Sequence, residues 1–119
     1  MNPRIRKAIA YMAEDLSQPL RLAEVANHAG YTAQHFCVAF KAETGATPAR
    51  YYKLLRLEKA RQMLKSELEL ALCVKEIAAQ TGFRDVSHFV RDFAKHFGLS
   101  PKRYREHYFD EKNDFAPPL

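Results

Sequence analysis

The sequence predicts an all-α protein of seven helices, arranged as two helix-turn-helix subdomains joined by a long linker helix. Three observations carry that expectation. Apolar residues recur at the helical period nearly throughout, and no segment alternates convincingly at period two. Cap residues, first-turn prolines and glycine stops punctuate the chain at helix-length intervals. The second half of the chain also repeats the pattern of the first.

Asn2 followed by Pro3 is a helix start, a capping residue and then proline at the first helical position. Ile5, Ala8, Ile9, Met12 and Leu16 form the apolar stripe of this first helix. Pro19 separates it from a short second helix over Leu22 to Ala29, which Gly30 stops in the left-handed conformation that glycine tolerates best. Thr32 caps a third helix that runs to about Thr44, with Gly45 as its stop. Thr47-Pro48 begins the linker helix, which extends to about Lys65, with Tyr51, Leu55, Ala60 and Leu64 on its buried side and Arg56, Lys59 and Arg61 outside. The segment SELELALC is a connector. A fifth helix covers Val74 to about Thr81 and stops at Gly82; Asp85 caps a sixth over Val86 to Phe97, stopped by Gly98. Ser100-Pro101 opens a short seventh helix through about Tyr108. The expected divisions are a first subdomain over 1–46, the linker helix over 47–66, a second subdomain over 67–108 and a mobile tail over 109–119.

The repeat is the most informative feature. Glu24, Val25, Ala26 and Gly30 correspond to Glu76, Ile77, Ala78 and Gly82 at an offset of 52. Phe36, Phe40, Gly45, Pro48 and Tyr51 correspond to Phe89, Phe93, Gly98, Pro101 and Tyr104 at an offset of 53. The change of offset falls in the turn between helices, where an insertion is tolerated. Each unit is a short helix, a glycine turn and a second helix with an i, i+4 phenylalanine pair, the sequence shape of a helix-turn-helix. Ala26 and Ala78 let the two helices approach closely, and the phenylalanines anchor the second helix on the core. A scaffolding solenoid normally stacks three or more repeats, whereas this chain carries two. Two units on a rigid spacer suit successive major grooves, which lie about 34 Å apart on one face of B-DNA. A linker helix of roughly 18 residues is about 27 Å long.

Bulk properties agree with a nucleic-acid partner. Of 119 residues, 47% are hydrophobic and 28% charged, a globular balance rather than a disordered one. Nineteen Lys and Arg against fourteen Asp and Glu leave a net charge of +5, which attracts polyanions. Acidic residues gather in the tail, where Asp110, Glu111 and Asp114 outnumber Lys112. Cys37 and Cys73 are far apart and form neither a disulfide framework nor a zinc pattern, which fits a reducing cytoplasm. His28, His35, His88, His96 and His107 add no metal-ligand spacing. No apolar run, Leu70 to Val74 among them, comes near the length needed to span a bilayer, so no membrane partner is expected. No nucleophile–base pairing, glycine-rich phosphate loop or paired acids mark an enzyme, and no cofactor is expected.

The stretch EVANHAGYTAQHFCVAFKAETGATPARYYKLLRLEKARQML, followed by VKEIAAQTGFRDVSHFVRDFAKHFGLSPKRYR, resembles the AraC/XylS family of bacterial transcription regulators over essentially Arg4 to Arg105. The pattern I-A-x-x-x-G-F, then F-x-x-x-F and G-x-S-P-x-x-Y-R, is highly specific. The resemblance implies homeodomain-like units whose third and sixth helices enter adjacent major-groove segments of double-stranded DNA. Carried over by position, the base-reading residues are Gln34, Cys37 and Val38 from the third helix and Val86, Ser87, Val90 and Arg91 from the sixth. The resemblance further implies output through RNA polymerase, as an activator in the usual case. The commoner family arrangement adds a ligand-binding or dimerisation domain, which is absent here: the chain is expected to be either a short stand-alone regulator or the C-terminal half of a longer protein.

Arg91 is the strongest specificity candidate, because arginine bonds guanine O6 and N7 together. Gln34 sits in the first helical turn and can pair with adenine. Lys41, Arg84, Lys95, Lys102 and Arg103 are candidate phosphate neutralisers. Cys37 and Val38 depart from the polar side chains of the family's best-known single-domain members. Thymine offers a methyl group in the major groove, and a small apolar side chain can contact it. Cys73 is expected to be packed or part of the connector. The competing reading is a helical protein-interaction module without specific DNA binding.

Overall fold

The structure, a computed structural model, describes residues 1–114, with side chains through Asp110; residues 115–119 of the expected tail lie outside the described residues. Within it are seven α-helices, one short 3-10 helix and no strand. The helices are α1 (Pro3–Met12), α2 (Leu22–His28), α3 (Ala33–Thr44), α4 (Pro48–Lys65), α5 (Val74–Gln80), α6 (Val86–Phe97) and α7 (Pro101–Asp114). The chain divides into two compact units with the boundary inside α4, between Arg56 and Leu57.

In the first unit, the Asn2 side chain accepts the Arg4 amide at 2.8 Å and starts α1. Ile5, Ala8 and Met12 then line one buried face. The stripe was expected to continue to Leu16, but α1 ends at Met12. Asp15 accepts the Ser17 amide and hydroxyl, a local bonding pattern that competes with further helix. Leu16 reaches the same core from the turn instead. Val25, Ala26 and Ala29 of α2 and its cap complete the layer onto which α3 docks through Phe36 and Phe40, both fully buried. The Ala26 side chain has no exposed surface, which is the close helix approach its small size permits.

The second unit repeats this packing with the end of a longer helix in place of a separate first helix. Leu57, Ala60 and Leu64 of α4 stand at an offset of 52 from Ile5, Ala8 and Met12, and all six are buried. The second half of the linker helix is therefore the first helix of the second unit. Ile77 and Ala78 of α5 match Val25 and Ala26, and Phe89 and Phe93 of α6 are fully buried. Phe93 also meets Tyr104 of α7 edge-on, with ring centroids 5.5 Å apart, as Phe40 meets Tyr51 at 5.2 Å.

The buried side of α4 differs from expectation. Tyr52, Leu57 and Met63 are buried alongside Ala60 and Leu64, whereas Tyr51 and Leu55 are only half-buried. A helix that serves two cores in succession need not keep one stripe. Arg56 and Arg61 are not mere surface decoration. Arg56 Nε donates to the Leu16 carbonyl at 2.9 Å and its Nη2 to Gln18 at 2.6 Å. Arg61 forks onto the Glu58 carboxylate and donates to the Tyr104 hydroxyl at 3.2 Å. That ion pair draws the Glu58 carboxyl below its usual range and holds the Arg61 guanidinium more firmly protonated. Further on, the connector contains a single 3-10 turn, Glu67–Glu69. Helix α7 runs to Asp114, six residues past the expected Tyr108.

Candidate nucleic-acid interface

Helix α3 is fixed at three points. The Thr32 hydroxyl accepts the His35 amide at 3.2 Å, Phe36 and Phe40 insert into the core, and Gly45 closes the end in a left-handed cap. Residues four apart share a helical stripe, so the side opposite the phenylalanines falls to Gln34, Val38 and Ala42. All three are exposed, Val38 by 67%. Lys41 is exposed beside them. Cys37 is half-buried on the flank nearer the core and carries a free thiol.

Helix α6 is held the same way. Asp85 accepts the Ser87 amide at 2.7 Å and the His88 amide at 3.4 Å. Those bonds draw its carboxyl below the ordinary range, with His88 and Arg91 adding smaller charge effects. The outward stripe is Ser87, Arg91 and Lys95, every one exposed. Val86 is 38% exposed and Val90 half-buried. At the repeat offset of 53, Ser87 stands for Gln34, Val90 for Cys37, Arg91 for Val38 and Lys95 for Ala42. One outward stripe is thus uncharged, while the other bears two cations.

The remaining basic candidates are also accessible. Arg84 precedes α6, and Lys102 and Arg103 lie in the first turn of α7; all three are exposed. Sequence reasoning passed over Arg50, though the repeat could have found it. Arg50 and Arg103 correspond at an offset of 53, both are exposed, and each donates its amide to a cap hydroxyl, Thr47 at 3.3 Å and Ser100 at 3.2 Å.

Other polar groups have structural surroundings. All five histidines are exposed, and His28 stacks on Tyr11 at 4.2 Å between centroids. Cys73, expected to be packed or part of the connector, is exposed at the start of α5, with its thiol 3.2 Å from the Glu76 carboxylate. Packing does not hold it, because it sits in the cap position outside the helix. Among the described residues, no group of three or more His, Cys, Asp or Glu side chains could hold a metal ion. No helix among them is long and apolar enough to cross a membrane.

Two short helices, each turning through a glycine into a capped and phenylalanine-anchored helix with an exposed outer stripe, define a double helix-turn-helix protein. The chain belongs to the helix-turn-helix domain family, of the AraC type, whose match covers residues 25–107. It is 35% identical over 97 residues to the probable thc operon regulatory protein of Rhodococcus erythropolis, covering 82% of this chain and 29% of that protein. It is 36% identical over 102 residues to the uncharacterised HTH-type transcriptional regulator YfiF of Bacillus subtilis, covering 86% of this chain and 31% of that one. The chain thus spans about a third of the length of these curated relatives. A transcriptional regulator with an AraC-type DNA-binding domain from Chromobacterium violaceum superposes with a TM-score of 0.82 at 27% identity, covering 89% of this chain and 92% of that one. The fold recurs in the DNA-binding domain of AdpA, solved with a target DNA, at a TM-score of 0.81 and 23% identity over 94% of this chain and 98% of that one.

Proposed function

We propose that this chain is the sequence-specific, double-stranded DNA-binding part of a bacterial transcription regulator, reading two adjacent major-groove segments with α3 and α6. The observation that carries this reading is the shared design of the two helices. Each has its inner face locked by two fully buried phenylalanines and its outer stripe left exposed at both first-turn and mid-helix positions. Groove-entering helices meet bases with such residues.

In this reading Gln34, Cys37 and Val38 face bases of one half-site, and Val86, Ser87, Val90 and Arg91 those of the other. Arg91 is the main specificity contact, bidentate to guanine and worth about 1–3 kcal/mol of discrimination. Val38, with Cys37 at the flank, meets thymine methyl groups. Lys41, Arg84, Lys95, Lys102 and Arg103 neutralise phosphates, and Arg50 joins them as the repeat partner of Arg103. The mechanism is groove readout with counterion release and involves no covalent chemistry. The regulator works in the cytoplasm and acts by recruiting or repositioning RNA polymerase, with an effector or dimerisation domain supplied from outside this chain.

The test is a titration of a fluorescent duplex over a salt series. A protein that contacts several phosphates loses affinity log-linearly with salt, at a slope of about −0.9 per phosphate neutralised. Salt-independent or absent binding would instead favour the protein-interaction reading.

A further inference from the structure

The two glycine turns that launch α3 and α6 are locked by different means. In the second unit the lock is internal. The buried Thr81 hydroxyl donates to the Ile77 carbonyl at 2.8 Å, with the Ala78 carbonyl at 3.2 Å, and Phe83 packs on Phe89 with centroids 4.9 Å apart. The first unit has Ala29 where Thr81 stands and Tyr31 where Phe83 stands, at the offset of 52. There the polar lock comes from α1. Arg4 Nε donates to the Ala29 carbonyl at 3.1 Å, and its Nη2 donates to the Gly30 carbonyl. Its guanidinium carbon lies 3.8 Å from the centroid of the Tyr31 ring. Tyr31 in turn meets His35 of α3 edge-on at 5.3 Å and Phe36 at 6.1 Å. Asn2 adds a side-chain bond to the Tyr31 hydroxyl at 3.4 Å and a backbone bond to the Glu43 carboxylate near the far end of α3. The counterpart of Arg4 at the same offset is Arg56, whose guanidinium is engaged in the first unit.

Resting on the DNA-binding reading above, we propose that Arg4 is a positioning residue for base readout. It makes no base contact itself, but fixes the launch angle of α3 and so sets the specificity of the first half-site alone. The fork suits this role. A planar guanidinium holds two carbonyls in fixed relation, and a positive charge at the end of α2 complements the helix dipole. Its position on α1 gives α3 an external handle, whereas the equivalent Arg56 bonds carbonyls of the first unit.

The experiment selects bound duplexes from a random pool with the full chain and with Gln34→Ala, Arg4→Ala, Arg4→Lys and Arg6→Ala variants. Gln34→Ala marks which half-site α3 reads. Arg6 is exposed on the same helix, so its removal controls for lost charge. Arg4→Ala is expected to flatten base preference in the α3 half-site by roughly 5-fold or more, the low end of one good base contact. The other half-site and the salt slope should stay unchanged. Arg4→Lys, which keeps charge and helix propensity, should give the same half-site change in smaller degree even if the alanine variant folds poorly. Mere loss of fold would lower binding to every sequence alike and leave relative preferences intact. A uniform loss with a shallower salt slope would make Arg4 a phosphate contact and overturn the proposal, as would an Arg4→Lys profile identical to that of the unmodified chain. If the unmodified chain enriches no bipartite motif, the DNA-reading proposal itself fails and takes this one with it.

Discussion

The Tyr52 hydroxyl donates to the Gln18 carbonyl at 2.6 Å and lies 3.2 Å from the Asp15 carbonyl, closing the α1–α2 connection onto α4. Arg105, which takes the place of Tyr52 at the repeat offset of 53, does the same work in the other unit. Its guanidinium donates to the Leu72 carbonyl at 2.6 Å and to Leu64 and Glu69 at 3.3 Å each. Phenol and guanidinium thus solve one problem, the unpaired carbonyls of the loop after each unit's first helix. Tyr52→Phe keeps the buried ring and removes only the donor. Urea denaturation should register a loss of about 0.5–1.5 kcal/mol. Arg56 still serves the Gln18 carbonyl, so the lower end is expected.

Arg91 projects from α6 opposite two fully buried phenylalanines, and its exposure leaves it free to reach a base edge. Arg91→Ala should relax base preference at one position of one half-site, by about 1–3 kcal/mol of discrimination. Sequence profiles from competitive binding measure this directly. An unchanged profile would remove Arg91 from the base-reading set.

Lys95 lies one turn further along the same stripe. As a phosphate contact it carries no sequence information, so Lys95→Ala should weaken binding to all duplexes by a similar factor. The slope of log affinity against log salt should become shallower by about one. A sequence-selective effect would place Lys95 among the base readers instead.

Val38, 67% exposed, presents an isopropyl group at the centre of the α3 stripe. Val38→Ser replaces apolar contact with a hydroxyl. If the first unit reads thymine methyl groups, the enriched sequences change in one half-site only. If α3 mainly docks, leaving discrimination to Arg91, the enriched sequences stay as they were.

Asp85 links acidity to the start of α6. Its carboxyl accepts amides of the first α6 turn and is held below its ordinary range by the Ser87 bond, then the His88 bond. A carboxyl with a lowered folded-state pKa adds stability that is full above its unfolded value, about 3.9. That stability fades as pH falls through the lower folded value. Thermal melts of the parent and Asp85→Asn should therefore differ most at neutral pH and converge at strongly acidic pH. A gap that stays constant across the series would mean that the charge contributes nothing to the cap.

Much of this fold was legible because the signals were local and redundant. Thr32, Asp85 and Ser100 cap the helices they were expected to cap, and Phe36, Phe40, Phe89 and Phe93 are all fully buried. The misreadings come from non-local competition. Leu16 fits the α1 period, yet Asp15 bonds the Ser17 amide and hydroxyl and the helix ends first. Tyr52 and Leu57 escaped notice because α4 packs into one core and then another, so one stripe describes neither half. Arg56 reads as a surface cation until the carbonyls of Leu16 and Gln18 are seen beside it, some 40 residues away in sequence. At the candidate interface, the positions come from the family resemblance. They rank Cys37 with Val38, although Cys37 lies on the half-buried flank, as Val90 does in the second unit.

The central claim, that α3 and α6 together read duplex sequence, is tested most directly by selecting bound duplexes from a fully random pool at defined salt. The account predicts a bipartite enriched motif whose halves are centred about one helical turn, 10–10.5 base pairs, apart. A pool that stays unenriched while binding remains salt-sensitive would contradict it, leaving a basic protein that holds DNA without reading it.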